Sequence, residues 1–480
     1  MKYLILFMLL FIFTACDNPQ KKYVSIDIDS EVSDDADNDF DADIETDSDT
    51  SEVNSEFLTV IRVRKDLEFP KNESRFIVQK AELDMDSLKV ERTLNNMDTS
   101  FSMHKDDVVS IRNILNAEFE KNGCSVCEKG AENYLEFVLK SEEVCCVTDA
   151  LEIEELDRFM IIPIHSMLWP FSPQNDPHPV GHTTLNIQRY SDNYGEAYFH
   201  QGVDIVKDEP VDIFNPYDGR VTETGYYRTE ETGGESPYYF QVVVKTVNGL
   251  QFQFHHTDTE SVPEEIYNIE GSDTILKAGS NTGKIVFWPT PDSSSGKFFH
   301  HVHFNVLNEK GIKLNPLELM IPQNDKTPPV IDEMFLIDAD RTKTLSNDGI
   351  AEKFHVVIKA EDLVENDPWP NPPRYSDVQI TDAEGAVVYQ HAGYDAIVML
   401  SANELDFVCE YYLCEMSGSQ YSKGDYSNRE FYIVTTAFDR EGEQTEAISN
   451  ELFYEGQYSI RATSCDESDN CSEKYLNISF

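Results

Sequence analysis

The stretch FHHVHFNV, residues 299–306, alternates as a β-strand does and places His301 and His303 two residues apart. Period-two geometry puts both imidazoles on one face of the strand and turns Val302 to the other. Two histidines on one rigid strand can hold a metal ion and leave a second imidazole within reach of a water bound to it. An HxH alone carries little, because a chain with 12 histidines produces one by chance at a rate of roughly 0.3. Its meaning comes from what accompanies it, and in what order. Upstream, FHQGVDI (199–205) offers His200 and Asp204 on one face of an extended segment, with Gly202 between them leaving open space for an ion. LQFQFHHTD (250–258) ends another alternating run in His255 and His256, of which one faces the site.

The ordered set His200-x-Gly202-x-Asp204, then Phe254-x-His256, then His301-x-His303-Phe304 resembles the lysostaphin or LytM-type zinc endopeptidases, which cut peptide cross-links in peptidoglycan. EPVDIFNPYDGRV (209–221), LKAGSNTGKI (276–285) and GIKLNPLELM (311–320) resemble the family's conserved turns, and MLWPFSP (167–173) its entry segment. The resemblance covers residues 160–322. It implies an antiparallel β-sheet peptidase core of the duplicated hybrid motif type. It also implies one Zn²⁺ held by His200, Asp204 and His303, with a fourth position open to water, and peptidoglycan as the partner. His256 and His301 would be the flanking catalytic pair, one taking the water proton and the other stabilising the oxyanion or protonating the leaving amine. His256 is preferred to His255 because strand alternation would group it with Phe254. His300 falls on the opposite face as a solvent or groove residue. Asn305 and Thr257 depart from the family's usual Glu and Leu, which bears on groove shape rather than on the ligands.

The N-terminus reads as an export signal. An apolar run from Leu4 to Phe13 is too short to span a bilayer permanently, and Thr14-Ala15-Cys16 resembles a bacterial lipobox. Cleavage before Cys16 and its acylation would anchor an exported protein to a cell-envelope membrane, facing the periplasm or cell surface. The formal charge of −51 argues against a nucleic-acid partner, since no basic surface is present to displace counterions from phosphates. Residues 25–56 hold fourteen acids and no base, a composition that stays extended and serves as a tether. Within it, Asp41, Asp43, Glu45, Asp47, Asp49 and Glu52 copy a helix-loop-helix calcium spacing. Thr46, however, stands where that loop needs glycine.

A length of 480 residues gives material for roughly two to four domains, and short alternating segments between turn residues from Phe199 on suggest a mostly β, antiparallel architecture. Residues 57–155 suggest a small α+β domain with strands at FLTVIRV, SRFIVQKAEL and NYLEFVLK, and a helix over 105–123. Residues 327–480 carry strand-like runs at sandwich spacing and resemble an immunoglobulin-like β-sandwich, with binding or spacing as its role. Cys124, Cys127, Cys145 and Cys146 form one even set, and Cys409, Cys414, Cys465 and Cys471 another. In an exported protein, even sets favour disulfides. The Cys465 and Cys471 pair flanks a hairpin tip and is close enough to bridge it. In the loop after MLWPFSP, His178 and His182 have a metal-ligand spacing, although such a pair is more often solvent-exposed.

Overall fold

A computed structural model describes residues 165–188, 197–267, 275–293, 295–364, 368–395, 408–420, 425–440 and 442–480, and upstream the backbone of six strands between 57 and 147 together with Ile111. The lipobox, the acidic tether with its calcium-like spacing, Cys124, Cys127 and, apart from Ile111, the helix expected over 105–123 lie outside the described residues.

The described chain is mostly β, in antiparallel sheets with few and short helices. Upstream, six strands form one antiparallel sheet in the order Met97–Ser102, Lys89–Leu94, Ile77–Asp84, Phe57–Asp66, Asn133–Leu139, Val144–Val147. Three of these coincide with the strand-like runs. The hairpin of Lys89–Leu94 with Met97–Ser102 and the short Val144–Val147 strand are too polar or too brief to show a period.

The central sheet runs in the order Ile275–Leu276, Gly219–Tyr226, Phe240–Thr246, Gln251–His255, His300–Leu307, Val203–Lys207, Val180–His182, with Lys313–Leu314 paired beside His300–Leu307. One face is dry: Val203, Ile205, Phe252, Phe254, Val302, Phe304 and Val306 pack in one cluster, with Phe254 stacked on Phe304. Each such side chain contributes about 1.5–3 kcal/mol by leaving water. The alternation that buries these residues is what forces the intervening histidines onto the other face. Register then aligns them. His255 pairs with His303, His303 with Asp204, and Asp204 with His182, so one cross-strand row over four neighbouring strands carries four ionisable side chains.

Downstream, a three-stranded sheet (Val330–Asp338, Phe354–Glu361, Tyr432–Val434) and a four-stranded sheet (Val387–His391, Tyr375–Asp382, Gln457–Cys465, Cys471–Ser479) share one core. Cys465–Cys471 bridges the hairpin as its spacing suggests, and Cys409 pairs with Cys414. This sandwich is not a separate appendage. Leu185, Ile187, Ala197 and Phe199, from the stretch between the two ends of the site, bury themselves in the sandwich core rather than in that of the central sheet. Trp369 closes over Val206 and Phe299 on the histidine-bearing face of the sheet.

Candidate metal centre

Three donor atoms converge. His200 Nε2 lies 2.8 Å from His303 Nδ1 and 3.1 Å from Asp204 Oδ1, and His303 Nδ1 lies 2.9 Å from the same oxygen. Two imidazole nitrogens and a carboxylate oxygen this close need a shared positive centre, either a proton or a metal. Donors around a tetrahedral Zn²⁺ sit about 3.3 Å apart, so a small outward relaxation accommodates the ion. The donor set, two nitrogens and one oxygen, suits zinc.

Neighbouring groups set the tautomers. His200 Nδ1 donates to Thr183 O at 3.1 Å, which leaves the Nε2 lone pair facing the cluster. Asp204 divides its carboxylate: Oδ1 faces His200 and His303, while Oδ2 accepts from His182 Nδ1 at 2.5 Å. Burial by itself would raise the Asp204 pKa. The neighbouring His200 and His301 imidazoles and the hydrogen bond from His182 outweigh it and hold the carboxyl well below its usual range. Burial, reinforced by His200, pushes His303 down to about 4. Burial followed by the charge of Arg429 lowers His182, and burial followed by that of His301 lowers His256. A His303 imidazole kept neutral beside the carboxylate has its ring nitrogen available to a divalent ion.

His182, His200 and Asp204 also bring donor atoms within 4.8 Å of one another. The set with His303 is the better candidate for a working centre, because exposure is graded across the cluster. The side chains of His182, His200 and Asp204 are at most 4% exposed, against 12% for His301 and 17% for His303. Solvent reaches the cluster on the His301 and His303 side, and His182 sits behind Asp204 as its hydrogen-bond donor.

The expected flanking pair lines that open side. His301 Nδ1 donates to Phe299 O at 3.0 Å, and its Nε2 stands 3.8 Å from Asp204 Oδ2. Trp288 stacks on its ring. His256 Nδ1 donates to Tyr238 O at 2.7 Å, and its ring centroid is 4.7 Å from that of His301. In both residues Nδ1 is tied to backbone, so Nε2 is the basic nitrogen.

Several placements differ from the sequence expectation. Alternation does not group His256 with Phe254: Phe254 is in the dry core, and His256 follows the strand at φ 62°, a left-handed turn that swings it toward His301. His255 faces the same side as His303, with ring centroids 5.2 Å apart. Gly202 is required by close approach rather than by space for an ion. A Cβ there would lie 2.4 Å from Asn305 Oδ1 and 2.7 Å from Phe304 O. His300 is 1% exposed, stacked on Phe298 and accepting from Trp288 N, so it is no solvent residue.

The His178 and His182 pair is split. His178 is buried, bonded to Phe171 O and Lys207, while His182 joins the cluster. The one sequence signal for His182 was its spacing from His178, and the partner that matters is Asp204.

The sandwich holds the segment on which this depends. Asn371 Oδ1 accepts from Thr183 N (3.0 Å) and Asn186 Nδ2 (3.2 Å), and its Nδ2 donates to Val180 O (3.2 Å). Arg429 donates to Gly181 O, and Tyr412 Oη to Leu185 O at 2.9 Å.

No family model and no curated protein matches the sequence. Among solved structures the chain is similar to a zinc-containing peptidase from Vibrio cholerae, at 11% identity over 56% of this chain and 73% of that one, with a TM-score of 0.24. It is similar also to Helicobacter pylori Csd3, at 13% identity over 55% of this chain and 63% of that one, with a TM-score of 0.22. These likenesses are too loose to bear on the chemistry, which rests on the geometry above.

Proposed function

We propose that the chain is a zinc-dependent endopeptidase of the lysostaphin or LytM type that hydrolyses peptide amide bonds in peptidoglycan stems or cross-links. The observation that carries this reading is the convergence of His200, Asp204 and His303 to within 3.1 Å, with His256 and His301 on the solvent-facing side. Zinc bound there supplies Lewis acidity toward a carbonyl and acidifies water. The rest is the work of the chain's own side chains. His182, donating to Asp204 Oδ2, fixes the orientation of the carboxylate in the ligand set. His301 Nε2, next to the cluster, accepts the proton of the attacking water and passes it to the neighbouring His256 Nε2, whose imidazolium then stabilises the oxyanion and delivers that proton to the leaving amine. Trp288, stacked on His301, fixes the plane of that imidazole.

Metal analysis of the purified chain, paired with hydrolysis of cell-wall sacculi by wild type and His303→Ala, tests the reading. Near-stoichiometric zinc and wall hydrolysis, both lost in the variant, support it. A zinc-free or inert wild type overturns it, and sacculus binding that survives His303→Ala identifies a non-catalytic wall binder instead. Digestion of a peptide library but not of muropeptides would reassign the substrate to protein. The lipobox-like Thr14-Ala15-Cys16 supports an exported protein held to a cell-envelope membrane by acylated Cys16. Among the described residues no helix is long and apolar enough to cross a membrane. Incorporation of labelled fatty acid, lost in Cys16→Ser, checks the anchor.

A further inference from the structure

A second group of ligands gathers away from the histidines, where the linker meets the sandwich. Asp325 of the linker, Asp362 just beyond the Phe354–Glu361 strand and Asp466 at the tip of the Cys465–Cys471 hairpin each bring a carboxylate oxygen within 4.8 Å of the others. Like charges at such a distance repel unless something positive lies between them. Among the described residues no lysine or arginine forms an ion pair with any of the three. Arg374, whose backbone N–H donates to Cys465 O, turns its guanidinium to Glu318 and Asp395 instead.

Asp362 supplies an independent sign of a missing partner. Its side chain is 6% exposed, and its Oδ1 is buried with no hydrogen-bond partner. A buried carboxylate oxygen without a donor is costly unless a cation takes it. The surroundings are already in place for one. Asp466, 1% exposed, is oriented by donations from Ser468 N and Asn470 N to Oδ1 and from Asn470 Nδ2 to Oδ2. Asn470 Nδ2 also reaches Asp325 O, and Ser468 Oγ reaches Gln323 O, which dock the linker on the hairpin tip. The backbone of Asp362 exchanges two hydrogen bonds with Asn371.

We propose that Asp325, Asp362 and Asp466 form a calcium site, chemically distinct from the histidine centre. All the donors are hard oxygens, with no nitrogen or sulfur, which disfavours zinc. Three carboxylates from three separate segments suit the larger, geometrically tolerant Ca²⁺ better than Mg²⁺, which keeps most of its water. The ion staples the linker, the end of a sandwich strand and the hairpin together. Through the Asp362–Asn371 pairing it also stiffens the residue that grips the His182 segment.

The test is calcium titration of the full chain in detergent, stripped of divalent ions and reloaded with zinc, at ~0.15 M salt so that diffuse uptake by the acidic tether is screened. Calorimetry should show one saturable calcium per chain and a calcium-dependent rise in melting temperature. Asp362→Asn, which keeps the side chain's size, should weaken that binding at least tenfold and abolish the shift. Asp325→Asn, on the half-buried linker, should do the same with less risk to folding. Calcium uptake in wild type no tighter than in Asp362→Asn, or magnesium producing an equal shift at equal concentration, overturns the proposal. Zinc content and wall hydrolysis, measured in the same samples, report on the histidine centre separately.

Discussion

Asn371 lies outside the stretch that resembles a peptidase, yet replacing it by alanine is expected to damage the candidate metal centre. The substitution removes an acceptor from Thr183 N and Asn186 Nδ2 and a donor from Val180 O and Trp369 O, at 3.0–3.2 Å. All four partner residues are at most 6% exposed. A buried polar group left without a partner costs about 1–3 kcal/mol, and water entering the space of one carboxamide re-satisfies part of the set, so a net loss of about 3–5 kcal/mol follows. The effect passes to the site along a short path. Thr183 N is held by Asn371, and Thr183 O accepts from His200 Nδ1, the bond that leaves His200 Nε2 a ligand. Loss of an outer partner of this kind typically lowers metal affinity ~10–100-fold. Zinc affinity should be measured by competition with a chromogenic chelator at a temperature where denaturant curves show the variant still folded. A folded Asn371→Ala chain that binds zinc as tightly as wild type would refute the idea that the sandwich positions the ligands.

His256→Ala is expected to keep its zinc and lose ~10²–10⁴-fold in kcat with little change in KM, as removal of one proton-transfer group does; steady-state kinetics with metal analysis checks both halves. Gly202→Ala should be destabilised by about 1–3 kcal/mol and lose zinc, because its Cβ would press on Phe304 O and Asn305 Oδ1 at 2.7 and 2.4 Å; urea unfolding and metal content read this out. His355, buried in the sandwich with Nδ1 3.0 Å from Thr436 Oγ1, has its pKa pushed down by burial and then by Arg341 to about 4. Its folded pKa lies below the unfolded value, so its contribution is complete above pH ~6.5 and is lost as pH falls toward 4, on the order of 3 kcal/mol. Unfolding curves from pH 7 to 4 should therefore be flatter for His355→Gln than for wild type. A fragment ending near residue 322 should be insoluble or unable to hold zinc, since Leu185, Ile187, Ala197 and Phe199 lose the core that covers them.

The strand of His301 and His303 was legible because one side of its alternation is dry: Val302, Phe304 and Val306 are fully buried and leave the histidines no other face. His200 and Asp204 were legible through their order and spacing relative to that strand. What escaped did so for local reasons. His182 ends a three-residue strand, too short to show a period, and its place beside Asp204 is set by sheet pairing alone. His256 depends on a single residue at positive φ, which no alternation rule anticipates. Leu185, Ile187, Ala197 and Phe199 look like any apolar residues in a loop, and nothing local says that their core is built by residues beyond 330.

The division of labour in the central sheet follows from this arrangement. A sheet flanked on one face by its own core needs something on the other, or its second face stays wet and its polar row stays mobile. Here the second face is partly closed by Trp369 over Val206 and Phe299 and by Arg429 against the Phe299 ring, both brought by the sandwich side. The closure is one-sided. It buries His182, Asp204 and His200, which fixes their orientation, and stops short of His301 and His303, where the cluster stays open to solvent. A sandwich that served only as a spacer would have no reason to reach Gly181 O and Thr183 N through buried side chains. The graded exposure of the cluster thus has its physical origin in the docking of the downstream sheets as much as in the strands that carry the ligands.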